Sequence, residues 1–158
     1  MLSILVPFVS SCASTRESSV SRSVPAAAPT PHARPSLSEQ RRLQFDERRA
    51  SGRGVFFTEE ELRNAKAATL VTFLRRVPSV RVVCQAAGCV VRMSRATGEC
   101  SAAFIVDGAS AAYSTDLMMS TADVVGIEVY RTSSETPLEF LGVENPCGTI
   151  VIWTRSGL

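Results

Sequence analysis

Ile127-Glu128-Val129-Tyr130-Arg131, together with Cys147-Gly148-Thr149-Ile150-Val151-Ile152-Trp153-Thr154-Arg155 at the end of the chain, decides how this sequence folds. Val125, Ile127 and Val129, then Ile150 and Ile152, recur with a period of two. That period places alternate side chains on one buried face of a strand. Each run also carries charge, so each reads as a buried strand with a charged residue at its edge. Glu128 and Arg131 bracket the first and are expected to pair there. Upstream, Ala103 to Val106 reads as another strand, and Asp107-Gly108 as its turn, because glycine accepts the positive φ such turns require.

Farther upstream the period changes. Val80 to Val83 and Val90 to Met93 flank Cys84-Gln85-Ala86-Ala87-Gly88-Cys89, a hairpin connection ended by two cysteines. Before it, Thr58-Glu59-Glu60-Glu61 fits a capping box, so a helix should begin there. Three carboxylates in a first helical turn are favoured by the helix dipole, which explains them better than a metal or acid–base site does. Leu70, Phe73, Leu74 and Val77 follow at helical spacing, and Pro78 should end that helix near Arg76. A short helical piece is expected around Thr115 to Met119, and a capped turn at Ser120 to Asp123. Thr136-Pro137-Leu138-Glu139-Phe140-Leu141-Gly142 has an N-cap, a proline at the first helical position and a glycine stop, which predicts one or two further turns. The fold class is therefore α+β: a small mixed sheet of about five strands with short helices on one face or both.

These pieces, taken in order, resemble the plug domain of TonB-dependent outer-membrane receptors. In that family a helix ending in an "LRRVP" type of segment precedes strands, a "DG" turn, an "IEV" strand and a closing "G-I-I-T" type of strand. The matching residues here are Leu74-Arg75-Arg76-Val77-Pro78, Asp107-Gly108, Ile127-Glu128-Val129 with Arg131, and Gly148 to Trp153. The resemblance covers roughly Val55 to Arg155. Ser79 and Thr132 depart from it, standing where the family often has glycine, and Val90-Val91-Arg92-Met93 runs into Ser94 rather than an Arg-Gly pair. The family places a barrel after the plug. Nothing follows Leu158, so transport through a self-made pore is not expected of this chain. What the resemblance implies is recognition of a ligand or a membrane-protein partner, a barrel protein first among them. Loops such as Ala109 to Ser114 and Thr132 to Thr136 are the candidate surfaces.

The N-terminus reads as an address. Leu2 to Val9 is an apolar run too short to span a bilayer, and it leads into Val9-Ser10-Ser11-Cys12. That tetrad resembles a bacterial lipobox, with small residues for the peptidase and a thiol that accepts the diacylglyceryl group. Residues 1–11 are therefore expected to be a lipoprotein signal peptide and Cys12 the lipid attachment site. The lipobox implies an outer-membrane location, on the periplasmic side; an ordinary secretory signal with a chance cysteine is the alternative. Residues 12–53 read as a flexible tether and a basic lead-in, and residues 54–158 as the plug-like domain. From Ala13 to about Pro35 the chain is Ser, Ala, Pro and Arg without apolar period, too polar to offset its ordering entropy. Arg41-Arg42 and Arg48-Arg49 interleave with Asp46 and Glu47, more a solvated, partly paired approach to the domain than a lipid-binding collar.

Composition narrows the function classes. At 158 residues with a net charge of +2 and 6% aromatic residues, the chain has room for one small domain and lacks the basic, stacking surface that nucleic acid requires. With Cys12 set aside, Cys84, Cys89, Cys100 and Cys147 remain, an even number in a chain that reads as exported. Three pairings are possible. Cys84–Cys89 would close the hairpin, and Cys100–Cys147 would tie the starts of two strands. A four-thiolate zinc site lacks the paired C-x-x-C spacing it usually has. Catalysis has little to work with: the sole histidine, His32, lies in the tether, so neither cysteine nor serine has a general base. Asp107, Asp116, Asp123, Glu128, Glu135, Glu139 and Glu144 offer carboxylates, yet no spacing singles out a pair. No catalytic residue, metal or cofactor is assigned. A structural envelope module, and more distantly a hydrolase with an unrecognised site, are the competing readings.

Overall fold

In the computed structural model, residues 35–157 are described, apart from residue 87 and the stretches 95–100, 112–115 and 142–146. They belong to a unit that begins at Arg34, so the boundary expected at residue 54 falls inside it. Cys12, His32 and Cys100 lie outside the described residues, as do Gly142, Glu144 and residues 112–114 of the loop from Ala109 to Ser114.

The segment expected to be a lead-in is a helix, α1, Leu37–Ala50. Its start is encoded: the Ser36 hydroxyl accepts the Glu39 backbone N–H, and the Glu39 carboxylate accepts the Ser36 N–H in return. Its body carries almost no apolar face, because Phe45 is its one buried residue among those described. Apolar periodicity therefore could not reveal it.

The strands are β1 (Val55–Thr58), β2 (Val80–Gln85), β3 (Gly88–Met93), β4 (Ala103–Val106), β5 (Ala109–Ser110), β6 (Val124–Tyr130) and β7 (Thr149–Thr154). Five of them form one mixed sheet in the order β1-β6-β7-β4-β5, with β4 and β7 parallel and the other neighbours antiparallel. The hairpin β2–β3 forms a second, two-stranded sheet. Asp107 and Gly108 turn β4 into β5 with φ of 50° and 86°, the left-handed pair that a tight hairpin turn needs.

The expected single helix from Thr58 to Arg76 is two: α2 (Glu59–Asn64), opened by the Thr58–Glu61 capping box, and α3 (Leu70–Leu74), capped by Thr69. Tertiary contacts break it. Lys66 takes a left-handed φ of 49°, Thr69 bridges to Ser120, and the Leu70 N–H donates to the Met119 carbonyl instead of to its own helix. The segment after Pro137 is a single 3₁₀ turn, Leu138–Phe140. Thr136 does not cap it, since its hydroxyl donates to the Thr132 carbonyl. The 3₁₀ turns at Asp116–Met118 and Thr121–Asp123 stand where short helical pieces were expected.

The period-two pattern sends side chains to two separate cores. On one face Phe104, Ile127, Val129, Ile150 and Ile152 pack with Leu62 of α2, Leu70 and Leu74 of α3, and Val91 and Met93 of the hairpin. On the other, Ile105, Tyr130, Val151 and Trp153 pack with Phe45 of α1 and Phe140. Gly126 makes the second packing possible, because a Cβ there would lie 3.0 Å from the Phe45 ring. Gly148, at φ +91°, is required more strictly: a Cβ would lie 2.3 Å from the Tyr130 carbonyl oxygen.

Candidate functional site

On the face covered by α1, a carboxylate is buried in the middle of the sheet. Glu128 is on β6, which lies between β1 and β7, and its side chain is 0% exposed. It is not at an edge. Burying a charge requires a counter-charge and hydrogen bonds, and Arg48 of α1 supplies both. Its Nε donates to Oε2 at 2.9 Å and its Nη2 to Oε1 at 2.6 Å, a bidentate pair across 80 residues of sequence. The Tyr130 hydroxyl donates to Oε2 at 2.5 Å, and the Trp153 indole N–H to Oε1 at 2.6 Å. Each carboxylate oxygen thus accepts two hydrogen bonds, which fills its lone-pair sites.

Arg48 is held as firmly as it holds. Its Nη1 donates to Glu139 at 2.7 Å, and its guanidinium lies 5.2 Å from the Phe140 ring centroid and 5.7 Å from that of Trp153. Burial works against its charge, but the hydrogen bonds and charge of Glu128, with the charge of Glu139, outweigh that and push the guanidinium pKa above its ordinary value. Burial, followed by the adjacent Glu128, pushes the Tyr130 hydroxyl far up, so it remains a donor. The expected Glu128–Arg131 pair does not form. Three positions apart on a strand, the two point to opposite faces. Arg131 pairs instead with Glu135, four residues on, through Nη2 at 2.9 Å and Nε at 3.2 Å.

Beside this network, two depressions share Glu47, Arg48, Arg53 and Pro137. One of about 240 Å³ also reaches Ser51, Tyr130 and Glu135; the other, about 580 Å³, reaches Gln44, Leu138 and Glu139. Together they form an open groove along the C-terminal half of α1. Leu138 stands 87% exposed at its rim. Glu128, the buried acid beside the groove, has both oxygens occupied by hydrogen-bond donors. Among the described residues there is no group of three or more metal-ligating side chains.

The other motif residues are structural. Asp107 accepts the Thr154 N–H at 2.8 Å and its hydroxyl at 2.6 Å, clamping the ends of β4 and β7. Gly108 completes the turn and Gly148 lets the chain pass under Tyr130. Cys84 and Cys89 are disulfide-bonded, with S–S 2.07 Å. Cys147 is buried and also disulfide-bonded; Cys100, the partner expected for it, lies outside the described residues. Sequence reading singled out Glu128, Trp153 and the Cys84–Cys89 bond but missed Arg48 and Tyr130 as partners of Glu128. The Ser36-x-x-Glu39 box ahead of Arg48 was the one local signal that α1 existed.

No protein-family model and no curated protein matches the chain. Among solved structures, its fold is similar to part of the ferric yersiniabactin uptake receptor FyuA from Yersinia pestis, at 18% identity and a TM-score of 0.51, over 65% of this chain and 17% of that one. It is likewise similar to the Q482A mutant of the ferric enterobactin receptor PfeA from Pseudomonas aeruginosa, at 16% identity and a TM-score of 0.51, over 66% of this chain and 18% of that one. At such identities the likeness is one of fold. The chain spans about a sixth of the length of these receptors. The plug-like α+β fold expected from the sequence is the fold observed.

Proposed function

We propose that this chain is a receptor-related, non-enzymatic domain of the bacterial cell envelope, held at the outer membrane by acylated Cys12, which recognises a barrel protein through the groove beside α1. The fold shared with ferric-siderophore receptors carries this reading. The groove supports it. Arg53 and Glu47 line it, each with an exposed side chain that makes no ion pair among the described residues, and Leu138 adds an exposed apolar rim. Unpaired charges of both signs around an apolar projection suit a protein surface. Beside it, both oxygens of Glu128 already accept two hydrogen bonds each. Attachment is assigned to the Cys12 thiol on the lipobox-like Val9-Ser10-Ser11-Cys12.

Photo-crosslinking tests the reading in cells. A crosslinking residue at Ser51 or Leu138 of the full chain should give an adduct with a heat-modifiable outer-membrane protein, whereas one at Arg81 on the hairpin should not. Equal adducts from all three positions, or adducts only with soluble proteins, would overturn recognition through the groove. Cys12→Ala should release the protein from the membrane fraction. Processing and membrane retention as before would remove the lipid anchor while leaving the crosslinking result to stand alone.

A further inference from the structure

Three features of the Cys84–Cys89 disulfide favour exchange. Cys84 faces solvent beside the turn that closes the β2–β3 hairpin and Cys89 is half-buried, packed against the larger core, whereas Cys147 is 3% exposed. The bond joins residues only 5 apart that already face each other across a regular ladder. Because it closes so short a loop, it removes little freedom from the unfolded chain and contributes little as a staple. The third feature is a charge: Arg75, just past the end of α3, brings Nη2 to 3.4 Å from Cys84 Sγ.

We infer that Cys84–Cys89 is a thiol-exchange site, reduced reversibly by an external dithiol whose thiolate is guided to Cys84 by the Arg75 guanidinium. The thiolate is the attacking species in such exchange, and cationic neighbours favour it. Exposure directs attack to Cys84 Sγ. A bond forms between that sulfur and the donor, the Cys84–Cys89 bond breaks, and Cys89 leaves as a thiolate that takes a proton. The donor's second thiolate then attacks its own sulfur in the mixed disulfide and releases Cys84, which takes the other proton. Two electrons and two protons pass from dithiol to protein, and the donor leaves as a disulfide. The hairpin is hydrogen-bonded separately from the five-stranded sheet, so opening its end leaves that sheet and its register intact. Nothing in this inference depends on the function proposed above.

The test uses the full chain, glutathione as an anionic thiol, cysteamine as a cationic one, and differential alkylation read by mass spectrometry. Cys84 and Cys89 should be labelled first, with Cys147 still protected. Arg75→Gln should slow glutathione reduction several-fold and leave cysteamine reduction unchanged or faster, and Arg75→Lys should retain most of the wild-type rate. Raising ionic strength from about 0.02 to 0.5 M should erase most of the difference between wild type and Arg75→Gln, because screening shortens to a few ångströms. Reduction of the Cys147 bond first, or an Arg75→Gln effect equal for both thiols, would overturn the inference. Circular dichroism on Arg75→Gln separates these outcomes from misfolding.

Discussion

Replacing Arg48 by Met, which keeps an unbranched apolar stem but removes the guanidinium and its charge, should cost about 3–5 kcal/mol, the usual consequence of stranding one member of a buried ion pair. The structure locates that cost. Three hydrogen bonds are lost, two to Glu128 and one to Glu139. Glu139 is 47% exposed, so its share is at most about 1 kcal/mol. The rest arises at Glu128, which is 0% exposed and cannot recover its hydration. For a domain of this size that corresponds to a fall in Tm of roughly 10–20 °C. Thermal and urea unfolding can be followed by circular dichroism and by the emission of Trp153, the only tryptophan, whose indole N–H lies in the network. The decisive comparison is Glu128→Gln in two backgrounds. In the wild type Glu128 accepts four hydrogen bonds from three partners, so a carboxamide N–H₂ must face a donor, and stability should fall by about 1–3 kcal/mol. With Arg48→Met the same change removes an uncompensated charge while its oxygen still accepts from Tyr130 or Trp153, and stability should rise by about 1–3 kcal/mol. A sign that does not reverse would refute the argument that Arg48 is there to neutralise Glu128.

Four further outcomes follow from other contacts. Gly148→Ala should destabilise by about 3 kcal/mol or more in urea titrations, since the new Cβ would lie 2.3 Å from the Tyr130 carbonyl oxygen and the backbone is at φ +91°. Ser79 holds a left-handed φ of 72°, so Ser79→Gly should stabilise by about 1 kcal/mol, measured the same way. Tyr130 has its pKa raised by folding, so its contribution is intact below the unfolded value of about 10 and declines as pH rises beyond it; the unfolding free energy should drop between pH 10 and 12, and Tyr130→Phe should flatten that drop. Cys147→Ser should lower Tm more than Cys84→Ser: in the chain-entropy account a Cys100–Cys147 loop of about 48 residues contributes roughly 4 kcal/mol, against roughly 2 kcal/mol for the Cys84–Cys89 loop. Peptide mapping that links Cys147 to a residue other than Cys100 would remove the basis of that last comparison.

The parts of the fold legible in sequence are those set by neighbours along the chain. Period-two runs gave β6 and β7, whose Ile127, Val129, Ile150 and Ile152 are all fully buried. The Asp107-Gly108 pair gave a turn because few other residues accept a positive φ at both positions. Thr58-x-x-Glu61 gave the start of α2, and the short spacing of Cys84 and Cys89 gave their bond. Ser79, noted as a departure from glycine, does hold a left-handed backbone. Helix continuity from Thr58 to Arg76 was misread because the break at Lys66 to Thr69 is made by partners about 50 positions away, Ser120 and Met119.

Sequence by itself therefore determined most of the strands and turns, the α+β class and the likeness to a receptor plug, all of which rest on local spacing and backbone preference. It could not determine which charge meets which. Glu128 had a plausible partner three residues away in Arg131, yet strand geometry points those side chains to opposite faces. The true partner, Arg48, sits 80 residues upstream on a helix with a single buried apolar residue. Only the closed sheet, with β6 between β1 and β7 and α1 laid over it, placed the two within 2.6 Å. The physical reason is that a buried carboxylate accepts whichever cation the tertiary fold delivers, and that delivery leaves no periodic trace in the chain.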